Sequence, residues 1–177
     1  MTWRGSTTVS WLSFMKPRRR VIRPGSGAGV AELFVDTSAW YPAIVASHPD
    51  HAAVAAALHD AVRAGARLVT TNLIVAESHA LLLHRTGRQV ALTFARTVIE
   101  PPTIVVWSTP ELERRALEDW LDRYHDQDFS LADAVSFAVM KARGMSQALT
   151  LDRHFATAGF HTVPAYGKAH TSRKEAR

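Results

Sequence analysis

LFVDTSAW, residues 33–40, places an acid at the end of an apolar strand, and that placement decides how the rest of the chain is read. Leu33, Phe34 and Val35 have no polar residue among them, so the run suits a short strand buried on both faces. Asp36 follows at once, where a charge is costly unless something compensates it. Three more acids sit in equally apolar surroundings: Glu77 in TTNLIVAESHALLL (70–83), Asp133 in FSLADAVSFAVM (129–140) and Asp152 in ALTLDRHFATAGF (148–160).

Working outward from Asp36, strand and helix patterns alternate. The spacing predicts strands over 33–35, 68–71, 103–107 and 148–151, with a fifth over 161–163. Helices are predicted over 38–47, 50–64, 72–86, 88–99, 110–124, 131–143 and 152–158, with Pro101–Pro102 and Gly144 as stop signals. The fold class is therefore α/β: a parallel twisted sheet of four to five strands flanked by helices on both faces. In such sheets function gathers beyond the carboxyl ends of the strands, at a switch in strand order. Asp36 and Asp152 follow strands directly, Asp133 opens a helix, and Glu77 lies a turn and a half into one. All four can reach a single edge of the sheet.

At 177 residues, 47% hydrophobic and 21% charged, the chain suits one domain with a real core. No stretch is long and apolar enough for a membrane span, and the absence of cysteine excludes disulfides and thiolate metal sites. The short apolar piece VSWLSFM precedes the basic cluster, which is the wrong order for a signal peptide. The net charge of +5 is unevenly spread. Residues 1–31 hold six basic residues and no acid, and 168–177 hold four against Glu175, leaving 11 basic and 15 acidic residues between them, a core of −4. Residues 1–31, ending in RPGSGAG, read as a basic disordered extension. Residues 32–166 read as the folded domain and 167–177 as a basic tail. A translation start at Met15 or near Val30 is the matching expectation, to be checked by mass spectrometry of the native N-terminus.

Each aspartate has an ordinary explanation as a helix cap. Asp36 and Asp152 precede short helices, and Ser130-Leu131-Ala132-Asp133 fits a capping box. Glu77 is harder to explain this way. At helical spacing it shares a face with Leu73, Ile74, Ala80 and Leu81, so it is expected to point toward the core, with Arg85 or Arg88 as the alternative ion-pair partner. Like charges about 4 Å apart repel by about 4 kcal/mol at the effective dielectric of a protein site, so such a cluster calls for protons or a cation. Oxygen ligands without cysteine, and with no histidine at matching positions, suit Mg²⁺, or Mn²⁺, better than Zn²⁺. The chemistry that follows is metal-assisted phosphodiester hydrolysis. Ser38, Ser130 and Thr150, each within three residues of an aspartate, are expected to orient a carboxylate or a water. His48 and His51, at the start of an Ala-rich helix, read as surface residues. Trp107, Trp120, Phe129, Phe137 and Phe155 read as core or interface packing.

Together FVDTSAW, TTNLIVAESHALLL, FSLADAVSFAVMKARG and ALTLDRHFATAGF resemble, in order and spacing, the motifs of the PIN-domain family, and within it the VapC toxins of bacterial toxin–antitoxin pairs. The resemblance runs from Leu33 to Val163. It implies a PIN-like three-layer domain and a Mg²⁺-dependent endoribonuclease, with Asp36, Glu77, Asp133 and Asp152 as its metal-binding catalytic acids and Asp128 outside them. It also implies an RNA substrate, a cognate VapB-type antitoxin, a homodimer and a cytoplasmic place of action. Two other readings compete: a phospho-receiver signalling domain, which also uses Asp and Mg²⁺ on a parallel sheet, and a PIN-like binding protein without catalysis.

Overall fold

The computed structural model describes residues 30–164, so the basic N-terminal segment and the C-terminal tail lie outside the described residues. Leu33, Phe34 and Val35, apolar on both faces, form β1 (Glu32–Val35) and occupy the centre of the sheet, where all three are buried. Around it lie β2 (Arg67–Thr71), β3 (Thr103–Val106), β4 (Gln147–Leu149) and β5 (His161–Val163), in the order β3-β2-β1-β4-β5 with every pairing parallel. Phe34 is in register with Val69 on one side and Ala148 on the other.

Parallel neighbours need crossover helices. The chain supplies α1 (Thr37–Ile44) and α2 (His51–Arg63), then α3 (Asn72–Thr86) and α4 (Arg88–Val98). Next come α5 (Pro110–Ala116) and α6 (Leu131–Ala142), with α7 (Arg153–Thr157) before β5. The chain steps outward from β1 to β3, then returns across β1 to β4. Right-handed crossovers in opposite directions put helices on both faces of the sheet. The α/β expectation holds, and the sheet has five strands. The order also differs from the 2-1-3-4-5 order of the receiver fold, which removes the phospho-receiver reading.

Some boundaries move. The fourth strand stops at Leu149, so Thr150 and Leu151 become the turn that leads to Asp152. The helix expected over 110–124 widens into a π turn over Leu117–Leu121, closed by Asp122 N–H donating to Leu117 O at 2.9 Å. Inside that turn Trp120 packs on Phe137 (ring centroids 5.1 Å apart) and on Phe160 (6.1 Å). Trp120, Phe129, Phe137 and Phe155 are all buried, as expected of core residues, whereas Trp107, just past β3, is 71% exposed. No helix among the described residues is long and apolar enough to cross a membrane.

Gly87 joins α3 to α4 at φ 94° and ψ 172°, a conformation open essentially to glycine alone. No atom lies within 4 Å of where a Cβ would stand, so Gly87→Ala strains the backbone and nothing else. The expected loss is about 1–3 kcal/mol. It would be read as a lower urea midpoint with an unchanged m-value.

Candidate active site

The reversal of strand order lies between β1 and β4, and Asp36 and Asp152 follow those two strands. Asp36 N–H donates to Leu149 O at 3.1 Å, fastening the end of β1 to β4. The Asp36 carboxylate caps α1, its Oδ2 accepting from Ser38 N–H at 3.1 Å. The same oxygen accepts from Ser38 Oγ (2.7 Å) and Thr150 Oγ1 (3.1 Å). Leu151 N–H donates to Ser38 Oγ at 2.8 Å and Asp152 N–H to Thr150 Oγ1 at 3.0 Å. Ser38 Oγ and Thr150 Oγ1 also stand 3.1 Å apart, so the two hydroxyls and the Asp36 carboxylate form one hydrogen-bonded triangle that the backbone amides hold in place.

Even with these donors the site opposes the charge. Asp36 is 4% exposed, and burial pushes its carboxyl up from 3.8 to about 6. The Ser38 hydrogen bonds work against that rise, and the negative charge of Asp133 adds to it. An acid held this way has too little positive charge near it, which fits a cation-binding role.

Asp133 arrives from the other side, on the first turn of α6. Ser130 and Asp133 form the full capping box: Ser130 Oγ accepts from Asp133 N–H at 3.1 Å, while Asp133 Oδ2 accepts from Ser130 N–H at 2.9 Å and Ser130 Oγ at 2.8 Å. Asp152 caps α7 through His154 N–H, which donates to its Oδ1 at 2.9 Å. Ligand atoms of Asp133, Asp152 and His154 all lie within 4.8 Å of one another, close enough to share an ion. His154 corrects the expectation that no histidine stands at a matching position. The signal in the sequence is its place two residues after a capping Asp, because the cap bond folds residue 154 back over the carboxylate.

Glu77 also departs from expectation. The buried stripe of α3 is Ile74, Ser78 and Leu82, and Glu77 beside it is exposed. Leucines surround this helix, but its central core position is the small polar Ser78, so the face could not be read from hydrophobicity alone. The recorded partner of Glu77 is not an arginine: Thr37 Oγ1 donates to its Oε2 at 2.8 Å. Thr37, next to Asp36, also lies within 3.4 Å of Ser78 Oγ. Glu77 is thus connected to the aspartates at the rim of the site, through Thr37. A concavity at the opposite end of the sheet is lined by Glu32 and Arg143, but these bind each other at 2.7 Å, and Arg67 binds Glu32 at 2.8 Å. Its charges are already satisfied, so it is a weaker candidate for chemistry.

The PIN domain matches residues 33–161: the chain belongs to the PIN-domain family. Within that family it is a VapC-type endonuclease. In each of two strains of Mycobacterium tuberculosis, the 23S rRNA-specific endonuclease VapC20 is 35% identical over 96 residues, covering 54% of this chain and 72% of that protein. The crystal structure of Mycobacterium tuberculosis VapC20, described as a Sarcin-Ricin loop cleaving toxin, aligns with a TM-score of 0.67 at 30% identity, over 72% of this chain and 95% of that one.

Proposed function

We propose that this chain is the toxin of a VapBC-type pair, a Mg²⁺-dependent endoribonuclease that arrests growth by cutting RNA. The observation that carries the reading is the cluster at the strand-order switch of a VapC-type fold, where ligand atoms of Asp133, Asp152 and His154 lie within 4.8 Å of one another and the buried Asp36 feels the charge of Asp133. Asp133, Asp152 and Asp36 would hold the cation, with Glu77 at the rim; the donor set is rich in hard oxygens, which suits Mg²⁺ and allows Mn²⁺. When bound, the cation neutralises the carboxylates, activates water and stabilises charge on the scissile phosphate. Ser38 and Thr150 fix Asp36, Ser130 fixes Asp133, and the Asp152 cap bond fixes the entry to α7, so the acids stand in place before substrate arrives.

The relatives' names make 23S rRNA the first substrate to test. A VapB-type antitoxin, a homodimer and a cytoplasmic site of action complete the proposal. With 11 basic and 15 acidic residues between the basic ends, phosphate contacts would come from those ends, from exposed arginines such as Arg153, or from a second copy. The test is incubation of the purified chain with ribosomal RNA, followed by sequencing of the new ends. Discrete cuts that need Mg²⁺, vanish with chelator and return on repletion are the expected result. Metal binding without any scission would favour the non-catalytic binding protein instead.

A further inference from the structure

We infer that His154 Nδ1 is a nitrogen ligand of the divalent cation, alongside Asp133 and Asp152, and that it raises the site's affinity for Mn²⁺ relative to Mg²⁺. The inference rests on the metal-dependent reading above. Nδ1 lies 3.3 Å from Asp152 Oδ1 and 3.9 Å from Asp133 Oδ2. The shorter contact has the reach of an ion pair but not the direction of a hydrogen bond, and the buried Nδ1 has no hydrogen-bond partner among the described residues. A polar ring atom shut away from water, without a hydrogen bond and facing two carboxylates, is placed as a metal-ligating imidazole nitrogen is placed.

Two further contacts hold the ring there. Its own backbone N–H donates to Asp152 Oδ1, and the ring stands edge-on to Phe129, with centroids 5.3 Å apart at 80°. Phe129 in turn packs edge-on against Phe137 in the core, 5.2 Å away. The cap thus fixes the backbone of residue 154, and the aromatic core packs against its ring. Magnesium favours oxygen ligands and retained water, whereas imidazole suits transition ions, so a nitrogen beside two carboxylates shifts the balance toward manganese.

Pulsed EPR of the whole chain, loaded with no more than one Mn²⁺ per chain, tests this directly. Bound imidazole should give nitrogen modulation that changes when histidine is isotopically labelled and disappears in His154→Gln. By titration calorimetry, His154→Gln should weaken Mn²⁺ binding about tenfold or more while leaving Mg²⁺ binding nearly unchanged. The isotope arm uses the wild-type chain, so it decides the question even if the variant fails to fold. Bound Mn²⁺ without imidazole modulation overturns the inference and leaves the nuclease reading intact. Failure to bind Mn²⁺ together with failure to cut RNA overturns both.

Discussion

Asp36→Asn is expected to abolish metal-dependent RNA cleavage and, in metal-free protein, to raise the melting temperature above pH 6. Asparagine keeps an oxygen that accepts from Ser38 and Thr150 and is itself a good helix cap, so the local structure should persist. Only the charge is lost. Because the carboxyl is raised from 3.8 to about 6 in the folded state, the folded protein binds more protons than the unfolded chain between those values. Stability contributed by the protonated form is therefore present below about pH 4 and is lost as the pH rises through about 6. The difference corresponds to about 3 kcal/mol, an order of magnitude for what ionised Asp36 costs without a cation. Metal-free wild type should thus lose stability across that window, and Asp36→Asn should lose less. Adding Mg²⁺ should stabilise the wild type by mass action and the variant by less, since one carboxylate is gone from the site. Thermal melts at pH 4, 6 and 8, with and without Mg²⁺, check it. A variant that tracks the wild type at every pH would make Asp36 a cap and nothing more.

Much of this was legible in the sequence because its strongest signals are local. The apolar triplet Leu33–Val35, rich in strand-favouring residues and ended by an acid, reads as a short buried strand, and an acid directly after such a strand is carried to the carboxyl edge of the sheet wherever the strand lies. The neighbours of β1 were not legible, since strand order depends on crossovers and not on any one segment. Glu77 misled because the roll of α3 is set by its packing on α1 and α4, which lifts Ser78 into the core and Glu77 to the rim. His154 escaped because its role depends on a side chain folding back over its own cap, a contact that helical periodicity does not encode.

The capping explanations and the functional one are not rivals. Asp36, Asp133 and Asp152 all cap helices, and each capping bond described above falls on a single carboxylate oxygen. A carboxylate has two oxygens, so a cap made by one can aim the other. The helix N-termini do more than tolerate these acids: their N–H groups hold them in position and offset part of their mutual repulsion. The site is therefore built from the most local device the chain has, repeated at three crossovers.

Asp133 allows the two roles to be separated by experiment. Asp133→Asn keeps an oxygen for Ser130 N–H and should leave stability nearly unchanged, while Asp133→Ala removes half of the capping box and should cost about 1 kcal/mol. Both should reduce RNA cleavage by about 100-fold or more, since each removes a charge from the proposed ion site. Ser130→Ala provides the contrast: it removes the hydroxyl bonded to both Asp133 N–H and Asp133 Oδ2, so it should lose about as much stability as Asp133→Ala. Its cleavage should fall only about tenfold, because the Asp133 carboxylate remains, loosened but charged. Removing the Asp133 charge should also move the Asp36 midpoint downward, since that charge helps to raise it, and carboxyl NMR titration of metal-free Asp133→Asn would show it. If cleavage followed stability across all three variants, Asp133 would be a cap alone. If Asp133→Asn lost cleavage at full stability, the carboxylate would be acting on the substrate's metal-dependent chemistry, with the cap serving to aim it.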